Sequence, residues 1–306
     1  MATEVTADQN PRVALVTGAT GFVGSHLVRR LVRDGWKVHI ISRHGSTVPG
    51  YPEFHDITNH VHDGSTEGMV SCVAQTKPDV VFHLASMIQA QHEPKDIEPM
   101  LRGNVLFASQ LIEGMRVNGV TKLVNTGTFW QHYNNEEYNP VCLYAATKQA
   151  FESILEYYVQ ACGFKVITLM LFDTYGVDDH RQKLFNILKR AATTGETLNM
   201  SPGEQLIAPV YVDDVTETFV LAADRLMKNV SLAHERYAVS PMHPIRLRDL
   251  VGLYLDISGR QVAINWGARP YRDREVMTPW NKGVWIATWC PKIELEEGLR
   301  RVISEI

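Results

Sequence analysis

The sequence contains no long hydrophobic run and little excess of charge. No stretch of its 306 residues approaches the ~20 apolar residues of a membrane-spanning helix. The segment 1–10 is polar and acidic, which is unlike a secretory signal. A net charge of −4 provides no general attraction for nucleic acid or an anionic membrane. We therefore expect a cytoplasmic protein that binds neither nucleic acid nor membranes.

Cysteine is scarce, and its four copies are scattered without the spacing of a metal site. They are Cys72, Cys142, Cys162 and Cys290. The twelve histidines include the close pair His60 and His62, but no matching ligand cluster accompanies them. The sequence therefore predicts reduced thiols and no metal ion.

The strongest pattern is an apolar strand followed by a glycine turn and a helix. Residues 13–16 form the apolar run, Gly18, Gly21 and Gly24 follow three apart, and residues 25–32 have helical apolar spacing. Such a turn brings a pyrophosphate close to the backbone and to the helix N-terminus. The alternative, a tight turn without a ligand, is disfavoured by this context. The predicted cofactor contacts here are Gly18, Thr20, Gly21, Phe22, Val23 and Gly24.

The second strand, residues 36–41, is followed by Ser42 and Arg43. In a dinucleotide fold this position, about 20 residues after the glycines, faces the adenosine ribose, where an acid binds the free hydroxyls of NAD. No acid is present, whereas Arg43 can pair with a 2′-phosphate and Ser42 can hydrogen-bond it. This favours NADP(H) over NAD(H), with a solvated loop cation as the alternative for Arg43.

Two further strand ends are candidate cofactor contacts. Asp63 follows the strand 59–62, where it could reach the adenine amino group or, equally well, form a turn. The strand that begins at residue 79 ends in Leu84, Ala85 and Ser86, whose small side chains would let the backbone run close to a cofactor.

Strands alternate with helices along the chain, which predicts an α/β fold with a doubly wound parallel sheet and helices on both faces. Long helices are predicted at 97–118 and 144–162, and Asp213 or Asp214 is expected to cap a later helix. We predict a tail at 1–11, a dinucleotide-binding domain and a smaller, intertwined substrate lobe. The domain comprises 12–173 and about 210–240, and the lobe about 174–209 and 241–306.

Tyr144 and Lys148 are four residues apart at the start of a helix, so that both project from one face. A neighbouring ammonium favours the phenolate and lowers the pKa of a tyrosine. Such a tyrosine can donate a proton to a ketone oxygen. Thr128 follows the fifth strand, where its hydroxyl could orient the same oxygen. The spacing alone is weak, because surface Tyr–Lys pairs are common, but the combination indicates a catalytic site.

At these residues the sequence resembles the extended short-chain dehydrogenase/reductase family of nucleotide-sugar epimerases, dehydratases and ketoreductases. The resemblance runs from about Val13 to Val215. It rests on segment 17–24, Asp63, segment 84–86, Asn104, Thr128, segment 144–148, Tyr175-Gly176 and segment 212–215. It implies that Tyr144 is the acid/base, that Lys148 binds the nicotinamide ribose and tunes Tyr144, and that Thr128 holds the substrate oxygen. It also implies that Asn104 holds the active-site helix through a water, and that the protein dimerises through its two long helices.

Departures from the family pattern narrow the expected activity. Phe129 and Trp130 follow Thr128, where 4,6-dehydratases carry Asp-Glu, so a dehydratase is rejected. Met170 and Asp173 stand where the family often has Arg and Asn, and 206–208 lacks an arginine that grips the pyrophosphate in relatives. The predicted substrate contacts are Thr128, Phe129, Asp173, Arg181, Lys183, Arg272 and Arg274. The alternative for the last four, which are cations, is that they are ordinary charged surface residues.

Segments 126–130 and 171–176 most resemble the CDP-abequose synthase branch. This resemblance implies NADPH-dependent reduction of a nucleotide-linked 4-keto-deoxyhexose. One alternative is a 4-epimerase with tightly bound NAD, which uses the same tyrosine and lysine. Another is a non-catalytic NADP-sensing or scaffold protein on the same fold, although such proteins typically lose Tyr144 or Lys148, and both are present.

Overall fold

The computed structural model describes residues 11–229 and 231–304. The predicted tail lies outside these residues except for Pro11. The strands are β1 (Val13–Thr17), β2 (Lys37–Arg43), β3 (Thr58–His62), β4 (Val80–His83), β5 (Lys122–Thr128), β6 (Lys165–Leu171), β7 (Asp173–Tyr175), β8 (Leu198–Met200), β9 (Leu206–Ile207), β10 (Pro209–Tyr211), β11 (His234–Val239), β12 (Ile245–Arg246) and β13 (Ile264–Trp266). The helices are α1 (Phe22–Arg33), α2 (Thr66–Thr76), α3 (Ile97–Leu101), α4 (Phe107–Val117), α5 (Leu143–Cys162), α6 (Leu184–Thr194), α7 (Val212–Lys228), α8 (Leu247–Ser258) and α9 (Leu295–Ser304).

Seven strands form one parallel sheet in the order β11-β6-β5-β4-β1-β2-β3. The predicted doubly wound fold is confirmed. The strand order changes direction between β1 and β4, and ligands of such sheets bind at the carboxyl ends beside this point. Strand β2 extends to Arg43 and β5 to Thr128, so both residues end strands of the sheet rather than following them.

Alternation along the strands produces two apolar cores, one on each face of the sheet. In β1, Ala14 and Val16 face the core that contains residues of α1 and α7, whereas Leu15 faces the core formed with α2, α4 and α5. In β4, Phe82 faces the first core and Val81 the second. This alternation of fully buried side chains is typical of a sheet covered by helices on both faces.

The predicted helix 97–118 is one continuous helical segment with a π-helical turn in its middle. Residues 102–106 form this turn between α3 and α4. Asn104 lies within it and is buried. A π turn contains one residue more than the α-helical repeat and often marks a functional position.

The prediction that Asp213 or Asp214 caps a helix is wrong. Helix α7 begins at Val212, directly after β10, so both acids lie within its first turn, and no side chain caps it. The Asp214 carboxylate instead accepts the backbone N–H groups of Lys292 (3.1 Å) and Ile293 (3.0 Å). It therefore anchors the segment that leads into α9, and its burial raises its pKa above the ordinary range.

The short strands outside the main sheet pair as β7 with β10, β9 with β12 and β8 with β13. A third apolar cluster joins α6, α8 and α9 to Tyr175 and Tyr211. The division into two lobes at the expected boundaries stays a prediction. No helix within residues 11–229 and 231–304 is long and apolar enough to span a membrane.

Candidate active site

A cavity of about 1470 Å³ lies at the carboxyl ends of the sheet strands. Most of the residues that the sequence singles out line it. They are Gly18, Thr20, Gly21, Phe22, Val23, Gly24, Ser42, Arg43, Asp63, Leu84, Ala85, Ser86, Thr128, Phe129, Tyr144, Lys148, Asp173, Arg181 and Lys183. The described part of the chain contains no group of three His, Cys, Asp or Glu side chains able to hold a metal ion.

The glycine turn is too crowded for larger residues at two positions. Gly18 has a φ of +74°, and a Cβ there would lie 2.6 Å from the backbone nitrogen of Ala85. A Cβ on Gly24 would lie 2.0 Å from the Gly18 carbonyl oxygen. Helix α1 follows Gly21 without a side-chain cap or an acid in its first turn, so its first N–H groups remain available to an anion. The turn therefore fits the pyrophosphate of a dinucleotide.

The end of β2 presents a cation and a buried hydroxyl to the cavity. Arg43 is exposed, and its guanidinium forms no ion pair with another described residue. The Ser42 hydroxyl is buried and has no hydrogen-bond partner among residues 11–229 and 231–304. Both groups are donors, and a phosphate would satisfy them.

Asp63 forms a turn at the end of β3. Its Oδ1 accepts the Ser65 N–H and the Ser65 hydroxyl, each at 2.8 Å, and these hydrogen bonds lower the pKa of Asp63. The Ser65 hydroxyl in turn caps α2 by accepting the Gly68 N–H at 2.9 Å. The turn-forming alternative is therefore observed, and Asp63 also lines the cavity.

Thr128 at the end of β5 and Tyr144 and Lys148 on α5 all line the cavity, and all three are buried. Trp130 donates its backbone N–H to Thr128 Oγ1 at 3.3 Å, which leaves the hydroxyl proton of Thr128 available for a ligand. The Lys148 ammonium forms no hydrogen bond or salt bridge with another described residue. The Thr128 hydroxyl and the Lys148 ammonium are therefore free to donate hydrogen bonds to a ligand in the cavity.

Burial is the main influence on the pKa values of Tyr144 and Lys148. It raises the pKa of Tyr144, and the Cys142 thiol acts in the same direction. A hydrogen bond with Ser86 acts against both by lowering that pKa. Burial lowers the pKa of Lys148 to about 8, and the Glu152 carboxylate opposes that shift. The expectation that Lys148 lowers the pKa of Tyr144 is not met, since desolvation of the phenolate outweighs other effects in the protein alone.

Asn104 joins the loop after β4 to α5. Its Oδ1 accepts the Met87 N–H at 2.7 Å and the Ser86 hydroxyl at 3.1 Å. Its Nδ2 donates to the Met87 carbonyl at 3.0 Å and to Thr147 Oγ1 at 2.9 Å. The resemblance implies a water-mediated hold on the active-site helix, whereas the structure has a direct hydrogen bond. The π turn places Asn104 where its amide reaches both partners.

Two buried residues of the site were missed by sequence reasoning. Gln131 accepts the Thr128 N–H at 3.0 Å and donates to Glu152 Oε1 at 2.9 Å. The signals were present in the spacing, because Thr-x-x-Gln is a capping-box pattern and Glu152 follows Lys148 by four residues.

Asp173, Arg181 and Lys183 also line the cavity. Asp173 accepts the Ala208 N–H at 3.0 Å, and burial raises its pKa despite the nearby charge of Lys183. Arg181 is held by Asp179 at 2.7 Å and lies 4.3 Å above the Phe22 ring. Lys183 has a pKa lowered mainly by burial.

Arg272 and Arg274 lie outside the cavity wall, contrary to their predicted role. Arg272 pairs with Glu275 at 2.7 Å and lies 5.7 Å from the Trp130 ring centroid, behind that residue. Arg274 donates to Asn139 and lies 4.3 Å above the Tyr133 ring. Their guanidinium groups are engaged by these partners, although the charge of Arg272 still acts on the cavity residues Asp173 and Lys183.

The family model and the related enzymes found by comparison point to the same family. A sequence model of the NAD dependent epimerase/dehydratase family matches residues 14–234. The CDP-abequose synthase of Yersinia pseudotuberculosis is 25% identical over 273 residues, which cover 87% of this chain and 90% of that enzyme. The UDP-glucose 4-epimerase of Mycolicibacterium smegmatis is 31% identical over 228 residues, 68% of this chain and 72% of that enzyme.

Solved structures share the fold. The Thermus thermophilus UDP-glucose 4-epimerase complex with NAD has a TM-score of 0.80 at 24% identity, over 96% of this chain and 98% of that chain. The Brucella ovis UDP-glucose 4-epimerase in complex with NAD has a TM-score of 0.83 at 19% identity, over 96% and 98%. At this level of identity the similarity is one of architecture.

Proposed function

The chain belongs to the NAD dependent epimerase/dehydratase family, enzymes of the NAD(P)-dependent oxidoreductase type, and we propose that it reduces the C4 ketone of a nucleotide-linked 4-keto-deoxyhexose with NADPH. The observation that carries this proposal is that Thr128, Tyr144 and Lys148 all line the same cavity and are buried. The two residues directly after Thr128 are the aromatic Phe129 and Trp130, so no second acid stands there.

Each of the three side chains has one task in the reduction. When bound, the reduced nicotinamide supplies the hydride that the C4 carbon accepts. Tyr144 donates its phenolic proton to the C4 oxygen, and its raised pKa keeps it in the protonated form that a reduction requires. Thr128 donates a hydrogen bond to the same oxygen. The Lys148 ammonium, protonated below about pH 8, stabilises the phenolate that remains.

The end of β2 supports NADPH as the exchangeable cofactor. Arg43 and the buried hydroxyl of Ser42 together provide the donors that a 2′-phosphate requires, and β2 ends without a carboxylate for a free ribose. A net reductase must release its oxidised cofactor after each turnover, which agrees with a cofactor held by an exposed arginine.

The residues after Thr128 argue against a dehydratase. Phe129 stacks on Phe172, with ring centroids 4.6 Å apart and planes 8° apart, and Trp130 follows it. Neither side chain transfers protons. The CDP-abequose synthase relatives, which span 87–97% of this chain, support a deoxysugar nucleotide as substrate. Its proposed contacts are Thr128, Phe129, Asp173, Arg181 and Lys183.

The second candidate is a nucleotide-sugar 4-epimerase with tightly bound NAD. It is favoured by the 31% identical UDP-glucose 4-epimerase relative. An epimerase would use Tyr144 and Lys148 in the same way but would keep its cofactor through both half-reactions. The two functions therefore differ in cofactor exchange rather than in the catalytic residues.

The deciding experiment is a cofactor titration of the purified protein. The absorbance spectrum is recorded first, then the fluorescence of added NADPH and NADH is followed. Tighter, exchangeable NADPH, followed by its oxidation with a 4-keto-deoxyhexose nucleotide, supports the reductase. Co-purified NAD that resists dialysis would move the epimerase to first place and remove the proposed role of Arg43.

We also propose a homodimer formed by the helical segment 97–117 and α5. Leu101 is 45% exposed, Val117 is 52% exposed and Tyr157 on α5 is 64% exposed, which is high for apolar and aromatic side chains. Light scattering would give the mass in solution. Leu101→Asp is expected to produce a folded monomer, and a monomeric wild-type protein would refute the interface.

A further inference from the structure

A buried polar chain connects β5, α5 and β11 behind the proposed site. Gln131 is fully buried, and it accepts the Thr128 N–H at 3.0 Å. Its Nε2 donates to Glu152 Oε1 at 2.9 Å and also to Gln149 Oε1 at 2.8 Å. Arg236 Nε donates to Glu152 Oε2 at 2.9 Å. Both Glu152 oxygens are therefore hydrogen-bonded.

Glu152 is a carboxylate with only 2% of its side chain exposed. Burying such a charge is unfavourable unless cations and donors surround it. Arg236 compensates it from the solvent side, since the Arg236 side chain is 48% exposed. On the inner side, Lys148 precedes Glu152 by four residues on α5, so both lie on one helical face.

We propose that Glu152 is a positioning residue, which through Gln131 fixes the end of β5 at Thr128 and which serves as the counter-charge of Lys148 on the same face of α5. This role rests on the proposed function of Lys148 and deepens it. Lys148 has no hydrogen-bonding partner of its own among the described residues, and the Glu152 carboxylate raises its pKa against the larger effect of burial.

The other titratable groups near Lys148 and Glu152 do not change their charge between pH 7 and about pH 9. The groups that face it are Tyr144 on α5, His83 on β4, His132 after β5, and His234 and Arg236 on β11. Burial and the Lys148 charge lower the pKa of His83 to about 3. Burial also lowers the pKa of His132 and His234, and it raises that of Tyr144. Between pH 7 and about pH 9, Lys148 is therefore the group whose charge changes.

The test is a direct titration of Lys148 in the full chain without cofactor. The protein is labelled with carbon-13 lysine, the Cε resonance of Lys148 is assigned by its loss in Lys148→Met, and its shift is followed with pH. Glu152→Gln removes the charge and keeps the shape, and it should lower the pKa of Lys148 by about one pH unit. An unchanged Lys148 titration in this variant would overturn the proposal.

Glu156→Gln is the matched control. It is the same substitution one helical turn further along α5, at a side chain that is 45% exposed and faces His234 at 3.4 Å. It should leave the Lys148 titration unchanged. If the pKa of Lys148 fell equally in Glu152→Gln and Glu156→Gln, the effect would come from the helix in general. That result would also refute the role of Glu152.

A third variant tests the direction in which the pKa of Lys148 changes. It also provides a test of the proposal if Glu152→Gln does not fold. Arg236→Gln removes the other cation that shares the Glu152 carboxylate, so the pKa of Lys148 should rise. A fall would contradict the proposal, because a purely structural role moves Lys148 in the same direction in both variants. None of these titrations requires turnover, so failure to find a reducible ketone would count against the proposed function alone.

Discussion

The indole ring of Trp130 lies edge-on to the phenol ring of Tyr144, with centroids 6.3 Å apart and planes inclined by 78°. The proposed acid is therefore covered by an aromatic surface. That surface excludes water, which accounts for the raised pKa of Tyr144 and strengthens polar contacts made inside the cavity.

Tyr144→Phe should lower the rate of NADPH oxidation with the ketone substrate by at least about 100-fold, because it removes the proton donor. The dissociation constant for NADPH should stay within about twofold, since the glycine turn is untouched. Tyr158→Phe, on the same helix but hydrogen-bonded to Glu113, is the control and should retain activity. A Tyr144→Phe enzyme with most of its turnover would refute the assignment.

Arg43→Ala should weaken NADPH binding by about 10- to 100-fold, because a charge-assisted hydrogen bond to phosphate is lost. Binding of NADH, which has no 2′-phosphate, should hardly change. Lys37→Ala removes a cation from the opposite end of β2 and should affect neither cofactor. Fluorescence titration measures all four constants, and equal losses for NADPH and NADH in Arg43→Ala would exclude a contact with the 2′-phosphate.

The rate of reduction should fall as the pH rises through about 8. Lys148 is protonated below this value and neutral above it, so its stabilisation of the phenolate disappears on the alkaline side. The profile of kcat/KM reports the pKa of the free enzyme. Lys148→Arg keeps the charge and should move the decline to higher pH, whatever its effect on the maximal rate. If kcat/KM of Lys148→Arg declined at the same pH as that of the wild type, the decline would be due to another group.

Asn104→Leu should lower the free energy of unfolding by about 2–4 kcal/mol, because it leaves several buried partners unsatisfied. Urea denaturation would measure the change. Asn265→Ala breaks an exposed hydrogen bond to Asn199 and should cost less than about 1 kcal/mol. Similar values for the two variants would mean that the Asn104 contacts contribute little.

The sequence predicts the sheet, the glycine turn and the Tyr144–Lys148 pair because their signals are local. Gly18, Gly21 and Gly24 recur at a fixed interval, and two residues four apart share a helical face wherever the helix packs. Strand alternation likewise depends only on neighbours in the chain. These features were therefore predictable to within a few residues.

The remaining features depend on contacts between distant parts of the chain. Arg274 is held by Asn139, 135 residues away, so its exclusion from the cavity leaves no local signal. Asp214 resembles a helix cap but binds backbone 78 and 79 residues further on. The pKa of Tyr144 is set by tertiary burial, which spacing does not reveal.

The π turn at residues 102–106 holds one residue more than a regular helical turn, and this surplus should make the segment unusually tolerant of a one-residue deletion. The wider turn absorbs the extra residue, so the helical faces before and after it keep their orientation. Removing Val105 should therefore let the segment close into a regular α-helical repeat with Met100 and Leu111 still buried. The local position of Asn104 and its hydrogen bond to Thr147 would be lost. Shortening the chain at this point should therefore disturb the site more than the fold.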